Sequence, residues 1–194
     1  MNGGAADIEA YIARLAAPPV DQVAAFVAAG KKRQLSAGMH FCVLGQKTHE
    51  VAFIHKGIVR YYVILRDGEE STKDFSFAPY FTAPFASVVR GQPAEVAIAA
   101  VTDCDVTVWP YRTLMLLYEQ HVEWQKLGRR IAEMLFIRKE RREFSLLLEN
   151  AKERYRAACQ RFAADLGHIP QHFLASYLGI RPQSLSRLKR NEKR

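Results

Sequence analysis

The residues best placed to do chemistry lie near the C-terminal end, in the run Ile169–Arg190. Their apolar members are spaced for two short helices that cross. Leu174 and Leu178 stand four apart on one face, and Ala175 is small where a second helix must approach. Gly179 offers the positive φ that ends a helix before a sharp turn. Ile180 plugs the corner, and Leu185 and Leu188 face back from the second helix. Pro170 and Pro182 fall where each helix begins, a position at which a missing N–H costs nothing. The pattern is a helix-turn-helix, with the chemistry of a DNA groove: hydrogen bonds to base edges and pairing with phosphates.

Other reactive residues are scattered. His49 and His55, with Glu50, share a face if one strand runs through both, which suggests a cupin-like metal or ligand barrel as an alternative. Such barrels usually carry a tighter His-x-His pair with a further carboxylate and His; His40, His121, His168 and His172 do not supply it. There is no Gly-rich phosphate loop, nucleophile elbow or pair of catalytic carboxylates. No enzyme activity, cofactor or metal is therefore expected. Cys42, Cys104 and Cys159 are odd in number and far apart, which excludes a disulfide framework and points to a reducing cytoplasm.

Charge separates the chain into two parts. Residues 1–120 hold eleven Lys and Arg against twelve Asp and Glu, whereas 121–194 hold seventeen against eight, so the net +8 belongs to the second part. A basic segment joined to a neutral one suggests a polyanion partner for the basic part alone. The apolar residues of that segment are used by the helix-turn-helix, so a membrane partner is not expected. No stretch approaches the ~20 apolar residues of a membrane span, and the Met1-Asn-Gly-Gly start lacks signal-peptide character.

The elements that must position the motif can be read from periodicity. Residues 7–17 and 20–29 read as helices around Pro18-Pro19, with Lys31-Lys32-Arg33 as the solvated end of the second. From Gln34 to Trp109 the period is that of strands. Val59, Tyr61, Val63 and Leu65 form an apolar face opposite Arg60 and Arg66. Cys104, Val106 and Val108 point inward, with Asp103, Asp105 and Thr107 to water. Asp67-Gly68 marks a tight hairpin. Many short strands with evenly placed turns indicate an antiparallel barrel or jelly roll. Tyr61, Tyr62, Phe75, Phe77, Tyr80, Phe81 and Phe85 serve either as its core or as the lining of an apolar pocket. Beyond Tyr111 the pattern is helical. Trp124, Leu127, Ile131 and Met134 recur at coiled-coil spacing, a seam for a dimer contact unless it packs on its own barrel. A further helix, about Ala151 to Leu166, should bury Tyr155, Cys159, Phe162 and Leu166.

Barrel, long helix and helix-turn-helix, in that order, resemble the superfamily of the cyclic-AMP receptor protein and the fumarate–nitrate regulator. The matching stretches are Phe53–Tyr62, Asp67-Gly68-Glu69, Ala94–Ile98 and, most specifically, Ile169–Arg190. The resemblance implies an α+β chain in three parts. Residues 1–120 form an antiparallel β jelly-roll domain, cyclic-nucleotide-binding-like and sensor-like, with N-terminal helices. Residues 121–149 form a dimerisation helix, and 150–194 a helix-turn-helix DNA-binding domain lacking most of the wing. It implies transcription regulation by a homodimer reading an inverted repeat in double-stranded DNA, with RNA polymerase a further partner. Within the second helix it places base reading at Pro182, Gln183 and Arg187. Gln suits adenine and Arg suits guanine, each bidentately. Arg181, Ser184, Ser186, Lys189 and Arg190 are assigned to phosphates.

Two features depart from the family pattern. Its cyclic-nucleotide binders carry a Gly-Glu pair followed by Arg-Ser/Thr; here Phe81–Glu95 has neither, and Ala94-Glu95 stands where the phosphate-binding pair belongs. A carboxylate there repels a phosphate, with Arg90 the only nearby substitute. Cyclic nucleotide is thus not the expected effector. The barrel senses another, unknown small molecule, or the dimer binds DNA without any ligand. The second departure is that the chain ends four residues after Arg190, short of a wing.

Overall fold

The structure, a computed structural model, describes residues 3–192. Helices α1 (Gly3–Leu15) and α2 (Val20–Ala29) lead into eight strands. These are β1 (Lys31–Leu35), β2 (His40–Cys42), β3 (Glu50–Lys56), β4 (Ile58–Ile64), β5 (Glu70–Phe77), β6 (Tyr80–Thr82), β7 (Ala97–Ala100) and β8 (Cys104–Pro110). Helix α3 (Phe85–Arg90) interrupts them between β6 and β7. The strands form two antiparallel sheets, ordered β1-β8-β3-β6 and β2-β7-β4-β5, whose inner faces close over Ala52, Ile54, Val59, Ile98, Val106 and Val108. The Asp67-Gly68 hairpin joins β4 to β5, with Gly68 at φ 86.

Three local expectations change. Lys31-Lys32-Arg33 is not a helix end but the edge strand β1, paired with β8. Gly30 allows it: a Cβ there would lie 2.3 Å from Thr107 Cγ2, so only glycine passes this close to β8. Lysines on an edge strand also discourage pairing with another sheet. Thr107 is buried rather than wet, bonded to His55 Nε2 at 2.7 Å, because α1 and α2 cover the outer face of this sheet. Phe53 and Trp109 on that face pack with Ile8, Tyr11, Phe26 and Trp124. Arg60 is likewise buried, for a reason that lies in the C-terminal helices.

After β8 come α4 (Tyr111–Gln120) and α5 (Val122–Leu148), then α6 (Ala151–Phe162), α7 (Gln171–Leu178) and α8 (Pro182–Glu192). A capping box between Asn150 and Glu153 starts α6. That helix stops at Phe162, before Leu166, which sits in a short 3-10 turn with His168. Phe162 and Ala158 are its buried residues, while Cys159 is only half-buried.

The expected seam needs correction. Trp124 and Leu127 are 0% and 2% exposed, sunk with Ile131 in the protomer's own core against α1, α2 and the barrel. Met134 is half-buried. At ~100° per residue, Arg138 and Arg142 continue this inward face. The opposite face carries Phe136, Ile137, Phe144, Leu147 and Leu148, all exposed.

Candidate nucleic-acid interface

The turn between α7 and α8 is built from its residues in a simple way. Gly179 has φ 68, and Ile180 N–H donates to the Ala175 carbonyl while Gly179 N–H donates to that of Ser176. This is the six-to-one and five-to-two pattern of a Schellman close. It aims the chain so that Leu185 drops into a pocket with Leu174, Ala175 and Leu178, each at most 1% exposed. Removing such a leucine typically costs about 2–5 kcal/mol, so the angle between the two helices is held by packing.

Arg181 supplies the carbonyl that accepts from Ser184 and Leu185 N–H, and α8 starts there. Pro182, Gln183, Ser184, Ser186, Arg187 and Arg190 are exposed, and Lys189 and Leu188 are half-buried. At ~100° per residue, Gln183, Ser186, Arg187 and Arg190 lie on one face, opposite Leu185 and Leu188. The Ser186 hydroxyl is turned back onto the Pro182 carbonyl at 3.2 Å. The arrangement gathers the expected base-reading residues Gln183 and Arg187 on one solvent-facing stripe, with Pro182 at the helix start. Arg181, Ser184 and Lys189 flank the stripe.

The way this unit is held against the barrel was not legible in the sequence. Helix α7 lies along β5, an edge strand. The Ser176 hydroxyl accepts from Thr72 N–H at 2.8 Å and donates to the Glu70 carbonyl at 3.2 Å, satisfying backbone groups that no neighbouring strand reaches. Phe75 and Ile58 meet Phe162, Tyr177 and Leu178 in one buried cluster. The Arg60 guanidinium lies 3.7 Å from the Phe173 ring and 4.2 Å from that of Tyr62, and its outer nitrogen pairs with Glu70. Asp74 accepts from Arg138 at 3.0 Å and Arg161 at 2.8 Å. Arg142 donates to the Tyr177 carbonyl and covers its ring. The only sequence signal was the Phe75–Phe77 alternation, which also fits an ordinary barrel core.

Behind this junction is a cavity of about 840 Å³ between the barrel, α3, α4 and α5, reaching Ser176 and Gly179 of α7. Of the aromatic residues weighed from sequence, Tyr61, Phe81 and Phe85 line it. Tyr62 instead bonds His40 at 2.7 Å, Phe75 and Phe77 face α6 and α7, and Tyr80 packs against Tyr11. Tyr61 shares hydrogen bonds with Thr82 and Ser76, and burial pushes its phenol up. Glu95 forms part of the wall, and Arg90 is tied to it at 2.6 Å. Partial desolvation by the surrounding chain, with Lys139 beside it, holds Lys73 below its usual range although its side chain reaches solvent.

His49 precedes β3 and is exposed, while His55 sits under α1 between Thr107 and Asp7. The two do not converge. Among the described residues no group of three or more His, Cys, Asp and Glu is arranged to hold a metal, and no helix is long and apolar enough to cross a membrane.

No protein-family model matches the chain, and no curated protein matches it in sequence. Solved structures do. FixK2 from Bradyrhizobium japonicum aligns at TM-score 0.75 and 16% identity, over 84% of this chain and 83% of that one. A transcriptional regulator of the Crp/Fnr family from Eubacterium rectale aligns at TM-score 0.73 and 15% identity, over 91% and 84%. The c-di-GMP-responsive global regulator CLP of Xanthomonas campestris aligns at TM-score 0.68 and 15% identity, over 90% and 92%. The chain therefore has the fold of the Crp/Fnr regulators: a cyclic-nucleotide-binding-like barrel, a long helix, and C-terminal helices.

Proposed function

We propose that this chain is a sequence-specific, DNA-binding transcription regulator, working as a two-fold dimer with a small-molecule effector in the barrel cavity. The observation that carries the reading is α8 itself. Gln183, Arg187 and Arg190 share its exposed face, and the helix is fixed from behind by Leu185 and the Gly179 turn. Such a helix enters the major groove with its first residues at the base edges. Arg187 reads a guanine, Gln183 an adenine, and Pro182 offers only apolar surface. Arg181, Ser184, Ser186, Lys189 and Arg190 contact phosphates and set register.

The second copy docks on the outer face of α5. Phe136, Ile137, Phe144, Leu147 and Leu148 form a largely apolar stripe there, broken by Glu140, that nothing in the protomer covers, and a parallel pairing along it would put the two reading helices on one side of the dimer. Two-fold symmetry then selects half-sites about 34–36 Å apart in an inverted repeat. The cavity favours an effector over a ligand-free dimer, since its wall touches both α5 and α7. Glu95 is paired with Arg90 at that wall, which among the described residues leaves no free arginine at the position where the family's cyclic-nucleotide binders hold the phosphate.

The test is selection of genomic DNA fragments by purified ligand-free protein at physiological salt. Recovery of one inverted repeat supports a dimeric regulator. Bound fragments with no shared sequence, with and without cell-extract metabolites, would leave only charge-driven binding and defeat the reading.

A further inference from the structure

The cavity is polarised along its length. Helix α5 lines it from Leu127 to Leu146, a rise of about 28 Å at ~1.5 Å per residue. Toward the Leu127 end the walls are apolar, with Val51, Phe81, Leu114, Ile131 and Leu135. Toward the other end stand Lys73, Lys139 and Arg142. The acids there are largely occupied: Asp74 holds Arg138 and Arg161, and Glu95 holds Arg90. Glu143, one turn beyond Lys139, is the remaining carboxylate in the wall. Among the described residues neither Lys73 nor Lys139 has a hydrogen-bond or ion-pair partner.

We propose that this cavity binds an elongated amphiphile bearing a single carboxylate, its chain along Leu127–Leu135 and its head group between Lys73 and Lys139. The proposal rests on the reading of the chain as an effector-responsive regulator and names the effector's chemistry. Lys73, Lys139 and Arg142 outnumber Glu143 at this end, an excess of positive charge that suits an anionic head group. A nucleotide would lay ribose and ring polar groups against valine, leucine and phenylalanine, where they lose their hydrogen bonds to water. The volume of about 840 Å³ lies within the range of small-molecule sites. The head-group end also adjoins Ser176, Gly179 and the Arg142–Tyr177 contact. A carboxylate there competes with the Tyr177 carbonyl for Arg142, so occupancy is felt by the reading helices.

Calorimetric titration of the full chain with sodium dodecanoate and dodecyltrimethylammonium, each below its micelle threshold, and with 1-dodecanol below its solubility limit, tests this. Dodecanoate should bind saturably and at least about tenfold tighter than the alcohol, while the ammonium should not bind. Lys73→Gln combined with Lys139→Gln should weaken dodecanoate about tenfold and leave the alcohol unchanged, which also shows that the cavity is still folded. Absence of dodecanoate binding, equal affinity for acid and alcohol, binding of the ammonium, or undiminished dodecanoate binding by the double variant would overturn the proposal. Operator retention by the same preparation is measured in parallel. Retention without carboxylate selectivity overturns the ligand class alone, whereas no operator under any condition overturns the regulator reading beneath it.

Discussion

Arg187 and Lys189 are two residues apart on α8 and face different surroundings. Arg187 is exposed on the stripe with Gln183, whereas Lys189 is half-buried at its side. Arg187→Ala should therefore relax specificity at one guanine per half-site and cost about 1–3 kcal/mol of specific binding. Lys189→Ala should weaken all DNA alike and lower the slope of affinity against salt by about one. Binding curves on operator and random DNA at several salt concentrations separate the two. Equal losses on both DNAs for Arg187→Ala would remove it from base reading. His55 makes a different prediction. Its burial under α1 holds the imidazole below its usual 6.5, with Asp7 pulling only partly the other way. The unfolded chain thus takes up a proton more readily than the native one. The stability that follows is present above about pH 6.5 and is lost as pH falls through that value toward the lower native one. His55→Gln should flatten urea-midpoint stability between about pH 7 and 5.5; an unchanged slope would clear this ring of the effect.

Helix α5 presents two unlike faces. Its inward face ends the barrel core with Trp124 and Leu127, then changes character to Arg138 and Arg142, which hold Asp74 and Tyr177. Its outward face carries Phe136, Ile137, Phe144, Leu147 and Leu148, with Glu140 among them. A charged side chain in the middle of that outward stripe should split a dimer without disturbing the protomer, because Phe144 is 53% exposed and outside the buried clusters. Phe144→Glu is expected to sediment as a monomer at micromolar concentration with unchanged circular dichroism, and to lose operator affinity. A dimer that survives this change, together with Leu148→Glu, would place the contact elsewhere.

At the scale of the molecule, barrel and C-terminal helices share a core. Phe75 belongs to the barrel by sequence yet is 0% exposed among Phe162, Tyr177 and Leu178. The two parts should therefore unfold in one transition. Phe75→Ala is expected to cost about 3–5 kcal/mol and, by loosening the junction, to resolve calorimetric unfolding into two steps. Two steps in the unmodified protein would mean that the junction contributes little. On the proposed reading, an effector that strains Arg142 or Ser176 would act on this junction only through a preference for a looser arrangement over the packed one.

Much of this was written in local pattern. The helix-turn-helix was legible because a Gly turn, two starting prolines and four leucines act within a few turns of one another. The strands and the Asp67-Gly68 hairpin were legible from alternation of period two. Side-chain identity and short spacing determine such features, since the forces involved act between neighbours in sequence. What covers each face was decided only in three dimensions. Arg60 and Thr107 read as solvent-facing because alternation says which residues share a side, not whether a helix will later lie on it. Trp124 and Leu127 read as a partner's seam for the same reason: a heptad stripe is identical whether it meets another chain or its own barrel. Lys31–Arg33 joined a strand because β8 offered a free edge beside Gly30. The cavity, with its lysines from β5 and α5, exists only because elements some sixty residues apart meet across space, and no local spacing encodes that meeting.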